Sequence, residues 1–288
     1  MGNAVKSSAE LGRDDLVLCN GTVMNASFSE LVAAARAGGF NAISLFAATY
    51  RNAREQQKLS DADLRNMLAD NGLCIAELDP LLNWVPGHVF PGGGPALDAD
   101  EDTFYRMADA LGARSLNVVW ALPQRLPDSQ LIDAYAALCD RASSHGLLAH
   151  LEFLPWSQIN DVVAACAIVR QAGRDNGGIL LDSWHHFRAG TANAVIAQIP
   201  GRHYFGVQLN DAPAQADADP IDETMRARLL PGDGDIDLVD LIRQLDRSGS
   251  NAPIGIEVFS TPLWRLSAEE VGRQAGEKLR KIVAAARA

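Results

Sequence analysis

Leu181-Asp182-Ser183-Trp184-His185-His186 is the stretch that decides how this chain is read. The run before it, Ile179-Leu180-Leu181, has the length and apolarity of a buried strand, and it breaks off on an acid, an aromatic and two imidazoles. A buried strand that ends this way carries polar chemistry to one rim of a core, where active sites on parallel sheets lie. Three further apolar runs break off alike. Leu148-Ala149-His150-Leu151-Glu152 and Ile254-Gly255-Ile256-Glu257 end on carboxylates, and Tyr204-Phe205-Gly206-Val207-Gln208 ends on an amide.

Outward from these runs one pattern recurs: a short β-type segment, a loop, then an amphipathic helix. Strands are expected at 16–19, 42–46, 74–78, 115–120, 147–153, 179–182, 204–209 and 254–259. Helices are expected at 29–37, 60–70, 100–111, 128–144, 158–172, 192–198, 237–248 and 268–286. Their punctuation is physical. Gly38-Gly39 is a C-terminal stop, and Ser60 followed by Asp63 is a capping-type start. Eight such alternations without a composition break predict an α/β fold, a closed (β/α)8 TIM barrel. The barrel is expected as a single domain over 15–288, led by a flexible N-terminal segment, 1–14. An open doubly wound sheet is the competing architecture. It would carry a glycine-rich nucleotide loop after its first strand, and Asn20-Gly21-Thr22-Val23-Met24 lacks that spacing. Gly92-Gly93-Gly94 does not open a helix directly and reads as a lid or plain loop rather than a phosphate cradle.

The 288 residues carry a net charge of −11, which disfavours nucleic acid as a partner because phosphate binding needs a basic face. Cys19, Cys74, Cys139 and Cys166 are scattered without a C-x-x-C pair and are expected as buried, reduced thiols. The first fifteen residues lack the apolar core of a signal peptide, and no run approaches the length of a membrane span. The expected setting is cytoplasmic, with no membrane partner; the expected partner is a small-molecule substrate, and a homodimer is allowed.

In a parallel barrel the strand C-termini gather around one mouth. Glu152, Asp182, Gln208 and Glu257 hold that position on the last four strands, which are neighbours. Three carboxylates brought together repel unless protons or a cation neutralise them, and a divalent ion would leave a site of about minus one. Oxygen donors favour Mg²⁺ or Mn²⁺; Co²⁺ or Zn²⁺ could also occupy such a site.

The runs His150-Leu151-Glu152, Leu181-Asp182-Ser183-Trp184-His185, Val207 to Pro213, Arg228 to Gly234 and Ile256-Glu257 resemble the xylose isomerase-like TIM barrel superfamily, and within it the sugar phosphate isomerase/epimerase branch. The resemblance spans nearly the whole chain. It implies that Glu152, Asp182, Gln208 and Glu257 ligate metal. It also implies that Glu152 and Glu257 are acid/base groups on opposite sides of the substrate, and that His185 and Arg228 contact substrate oxygens. Many relatives place His at the position of Gln208, although a Gln variant occurs among hydroxypyruvate isomerase-like members. The substitution, with only six histidines in the chain, argues against the three-zinc endonuclease branch.

The chemistry this implies is proton abstraction next to a metal-bound carbonyl, through an enediolate. Return of the proton to the same carbon with inversion epimerises, and return to the neighbouring carbon isomerises. Loss of a β-hydroxyl from the same enolate dehydrates. The leading expectation is an isomerase or epimerase of a small sugar, keto-sugar or hydroxy-keto acid. A dehydratase of a cyclic polyol or keto acid (dehydroshikimate- or inosose-type) is the runner-up, and a non-catalytic ligand-binding barrel is a third reading. Trp84, Trp120, Trp156, Trp184 and Trp264 all fall at or after strand ends, so an aromatic wall is expected, with Trp120 and Trp184 against the substrate. Arginines also recur in these loops, and Arg228 is the one expected at the substrate. His186 is expected behind the site, and Asp211 as a group that orients either a loop or one of the ligand side chains rather than as a ligand itself.

Overall fold

The computed structural model describes residues 7–91 and 99–288. Each apolar run forms a strand: β1 Leu16–Leu18, β2 Ala42–Phe46, β3 Cys74–Leu81, β4 Ser115–Val119, β5 Leu148–Glu152, β6 Gly177–Asp182, β7 Tyr204–Leu209 and β8 Ile254–Ile256. Each pairs in parallel with the next, and β8 returns to β1 through Leu16–Ile254 and Leu18–Ile256, so the sheet closes into a barrel. A closed parallel sheet is covered on both faces, which is why its strands read as apolar runs rather than alternating ones.

The surrounding helices are α1 Phe28–Gly38, α2 Ala47–Glu55, α3 Asp61–Asp70, α4 Glu101–Leu111, α5 Asp128–Ser143, α6 Val162–Ala172, α7 Ser183–Arg188, α8 Pro220–Arg226, α9 Leu238–Ser248 and α10 Ala268–Ala286. Their starts follow from side-chain caps: Ser27, Ser60, Asp100, Asp161, Asp182, Asp219, Asp237 and Ser267 each accept a backbone N–H of the first turn. Three of these helices, α2, α7 and α8, are additions to the expected eight. The expected helix at 192–198 is a 3-10 turn, Asn193–Gln198. The one expected from 158 begins at Val162, because Asp161 supplies the cap.

The barrel is closed on its outside by α10 packing on α1. A Cβ on Gly276 would lie 2.0 Å from the Gly38 carbonyl oxygen, and one on Gly272 would lie 2.1 Å from that of Ala34, so backbone meets backbone here. At the opposite end from the strand tips, Leu11 packs with Val17, Ala42 and Ala76. Ser8 Oγ donates to the Gly112 carbonyl at 2.6 Å, and Arg287 pairs with Asp14 at 3.1 Å. Of the segment expected to be flexible, residues 1–6 lie outside the described residues; residues 7–14 make the contacts just given. The Gly92-Gly93-Gly94 loop also lies outside the described residues.

The four cysteines are free; Cys19, Cys139 and Cys166 are buried. Among the described residues, no helix is long and apolar enough to cross a membrane.

Candidate active site

The strand register sets the site. Asp182, the last residue of β6, stands beside Gln208 on β7, while Glu152 ends β5 and Glu257 follows β8 directly. All four side chains gather at the C-terminal mouth, and all are buried.

Asp182 is held on every side. Its Oδ1 caps α7 by accepting the His185 backbone N–H at 2.9 Å; its Oδ2 accepts from Asn210 Nδ2 at 2.7 Å and Arg228 Nη1 at 2.9 Å. Asn210 is itself fixed by Ser183 Oγ, 2.8 Å from its side-chain oxygen. The turn into α7 delivers His185 to the rim, where its Nε2 stands 3.3 Å from Glu152 Oε1. Glu152, Asp182 and His185 can each present one ligand atom within 4.8 Å of the other two. His185, expected as a substrate contact, is thus placed as a candidate ligand.

Glu257 lies outside that compact group and is joined to it through Arg228, whose Nη1 is 3.5 Å from Glu257 Oε2. The guanidinium is anchored from behind by Thr224, with Nε 3.0 Å from its carbonyl and Nη2 2.7 Å from its hydroxyl. Gln208 donates from Nε2 to Glu77 Oε1 at 2.8 Å. Gln208 Oε1 and Glu257 Oε1 are buried without a hydrogen-bond partner among the described residues.

Two acids that the sequence reading passed over belong here. Glu77 and Asp79, two apart on β3, share one strand face. Asn117 Nδ2 bridges Asp79 Oδ1 at 2.8 Å and Glu152 Oε2 at 2.7 Å. Burial pushes Glu77 up to about 7, with the Glu152 charge adding and the Gln208 hydrogen bond opposing. Asp79 and Glu257 are held well above the usual carboxylate range, first by burial; Glu77 adds to the rise at Asp79, and Asp79 to that at Glu257. Below them burial and the Arg114 charge push His150 down to about 3.

These residues fit a divalent cation. Five buried carboxylates (Glu77, Asp79, Glu152, Asp182 and Glu257) crowd one region, with Arg228 the one cation directly bonded to them among the described residues. Three buried oxygens, on Asn117, Gln208 and Glu257, lack a donor among the described residues. Glu152, Asp182 and His185 can hold the ion as they stand, with Gln208 and Glu257 bordering them. The imidazole broadens the accessible metals beyond Mg²⁺ and Mn²⁺ toward Co²⁺ and Zn²⁺.

The acids open onto a cavity of about 370 Å³. Asp79, Glu152, His185, Arg228 and Glu257 form its polar floor; Phe46, Leu82, Phe90, Leu154, Trp156 and Phe259 form much of its wall, and α8 adds Ile221, Thr224 and Met225. Glu223 pins α8 by accepting from Arg188 and, at 3.3 Å, from Trp184 Nε1.

The aromatic wall differs from expectation. Trp120 and Trp184 do not line the cavity; they are 1% and 0% exposed and pack behind it. Trp84 stacks edge-on against Trp120 and donates to the Val119 carbonyl, and Trp264 donates to that of Gly21. Trp156 is the indole at the cavity, with its ring edge-on to His185. Once α7 forms, Trp184 turns inward while the next residue, His185, turns to the site. His186 is buried outside the ligand group. Asp211 does orient a loop: its carboxylate accepts from the N–H groups of Gly232 and Ile236, at 2.8 and 3.0 Å.

A family profile described as xylose isomerase-like TIM barrel matches residues 32–282. The chain is 29% identical over 253 residues to a 3-dehydroshikimate dehydratase of Pseudomonas aeruginosa, an alignment covering 82% of this chain and 37% of that protein. It is 31% identical over 148 residues to an inosose isomerase of Bacillus velezensis, covering 51% of this chain and 52% of that one. The chain therefore spans from about a third to half of the length of these curated relatives. Among solved structures, the IOLI protein with a binding zinc atom superposes with a TM-score of 0.79 at 22% identity, over 94% of this chain and 98% of that one.

Proposed function

The chain belongs to the xylose isomerase-like TIM barrel family, and from that premise we propose a divalent-metal-dependent isomerase or epimerase of a small sugar, keto-sugar or hydroxy-keto acid. One observation carries the reading: buried acids, an imidazole and a guanidinium form one floor of a cavity of about 370 Å³ whose remaining wall is largely apolar. A floor of this kind suits a hydroxy-ketone edge, and the wall suits the C–H face of the same molecule.

When bound, a divalent ion supplies polarisation of a substrate carbonyl and countercharge for the acids. Glu152 and Glu257 are the acid/base pair. One takes the proton from the carbon next to the carbonyl, and the other returns one to the same or the adjacent carbon. Burial, which raises Glu257, suits it to hold a proton near neutral pH. Asn117 fixes the Glu152 carboxylate, and Arg228 offers N–H groups to substrate oxygens where charge develops. The apolar wall excludes water from the carbanion-like stage. The acidic balance of the chain supports a small molecule rather than nucleic acid as partner, and the free cysteines suit a reducing, cytoplasmic setting.

A second reading, dehydration of a cyclic keto acid or polyol, is favoured by the relative that aligns over 82% of this chain, a 3-dehydroshikimate dehydratase by name. The same proton abstraction then ends with loss of a β-hydroxyl.

The test is incubation with Mg²⁺ or Mn²⁺ in D₂O against inososes, keto-hexoses and 3-dehydroshikimate. Deuterium in recovered substrate and its isomer supports the first reading. A new ultraviolet enone absorbance supports the second. Ion and ligand binding without exchange or turnover in the whole panel would replace both with a binding barrel.

A further inference from the structure

We infer that Glu77 is a positioning residue for Gln208: its carboxylate takes the amide N–H and thereby turns the amide oxygen toward the cation site. The inference rests on the metal-dependent reading above and adds a residue to it.

A glutamine amide has two unlike ends. The carbonyl oxygen has lone pairs to give a cation, and the NH₂ has none. The terminal torsion is broad and roughly two-fold, so rotation by half a turn exchanges the ends at little intrinsic cost. An external acceptor must decide between them. Glu77 stands in the middle of β3, and its Oε1 accepts from Gln208 Nε2 at 2.8 Å and from Cys19 Sγ at 3.7 Å. With two donors on that oxygen, Glu77 acts as acceptor, and the NH₂ end of Gln208 is committed to it. The other end, Oε1, is left buried without a partner on a side chain 1% exposed. Gln208 stands beside Asp182 in the strand register, so this free oxygen belongs to the residue bordering the Glu152–Asp182–His185 group.

Glu77 is packed in turn. His150 Nε2 lies 3.4 Å from its Oε2 without a hydrogen bond between them, and Gly206 leaves room for that imidazole, since a Cβ there would come within 2.9 Å of the ring. Nothing else in the described structure selects the orientation of the amide.

Orientation and simple charge attraction make different predictions. A neutral residue at 77 that keeps an acceptor oxygen preserves the first and abolishes the second. Mn²⁺ is titrated calorimetrically into the full chain and into Glu77→Gln, Glu77→Met, Gln208→Met and the Glu77→Met/Gln208→Met double variant, with thermal unfolding recorded for each. Glu77→Met and Gln208→Met should each weaken Mn²⁺ binding about 10- to 100-fold. The double variant should bind no more weakly than Gln208→Met alone, and Glu77→Gln should retain more affinity than Glu77→Met. Unaltered affinity in Glu77→Met, equal losses in the two Glu77 variants, or additive losses in the double variant would overturn the inference. Failure of the parent chain to bind Mn²⁺ would instead remove the metal-dependent reading on which it rests. Should Glu77→Met not fold, a crystal structure of the Mn²⁺-loaded parent decides. Gln208 Oε1 on the ion with Nε2 on Glu77 upholds the assignment, and an amide turned away from Glu77 defeats it.

Discussion

Arg228 Nη1 lies 2.9 Å from Asp182 Oδ2, and the two side chains are 2% and 0% exposed. The guanidinium thus belongs to the acid cluster as countercharge as well as to the cavity floor. Arg228→Met leaves Asp182 and Glu257 buried without it, which should lower the stability of the metal-free chain by about 3–5 kcal/mol. Added Mn²⁺ should narrow the gap, because the ion supplies charge to the same carboxylates. Thermal unfolding of both forms with and without Mn²⁺ checks this; a gap indifferent to the ion would count against shared carboxylates.

Glu152→Gln and Glu257→Gln should each lower turnover by about 100-fold or more while leaving circular dichroism unchanged. Glu257→Gln should also raise the unfolding temperature of the metal-free chain at pH 8, since it removes a carboxyl that burial disfavours in its charged form. Turnover undiminished in both variants would refute their assigned roles.

The raised position of Glu77 sets a pH dependence. Its folded value, about 7, exceeds the ordinary value of 4.5, so its contribution is fully present below about 4.5 and is lost as pH rises through about 7. Unfolding temperatures of the metal-free chain should therefore fall between pH 4.5 and 7 relative to Glu77→Gln. Binding of a cation needs the carboxylates ionised, so Mn²⁺ affinity should rise over the same window. Parallel melting curves for the two proteins across that window would contradict the assignment.

Glu223 is 4% exposed and ties α8 to Arg188 and Trp184. Glu223→Ala should loosen the helix that brings Met225 and Thr224 to the cavity, raising KM by about 10-fold or more. A change confined to melting temperature, with KM intact, would assign Glu223 to stability alone.

Gly276→Ala would place a methyl 2.0 Å from the Gly38 carbonyl and force α1 and α10 apart, costing about 1–3 kcal/mol. Chemical denaturation should show a lower midpoint with the slope retained.

The barrel was legible because each strand is an apolar run bounded by punctuation, and a strand tip in a parallel barrel has one destination. Glu152, Asp182, Gln208 and Glu257 reach the mouth for that reason alone. Glu77 and Asp79 were not legible as site residues. The apolar run reads as stopping at Leu78, and Asp79-Pro80 reads as the start of a loop; in the fold β3 continues to Leu81. Parity ties Glu77 to Asp79, two apart on one face, but the register shift between Ile75 and Glu77 breaks the alternation with the apolar run before them. The choice among indoles was hidden too. Whether Trp156 or Trp184 meets the cavity depends on α7, a six-residue helix with no apolar period to announce it.

The acids come from strands or their immediate tips, whereas Phe90, Trp156, Ile221 and Met225 come from the segments that connect them. Inheritance can therefore treat the two separately. Lineages that redraw the connecting segments would change what the cavity admits while the acid cluster passes on intact. Transplanting residues 213–227 between relatives is the engineering counterpart of that history.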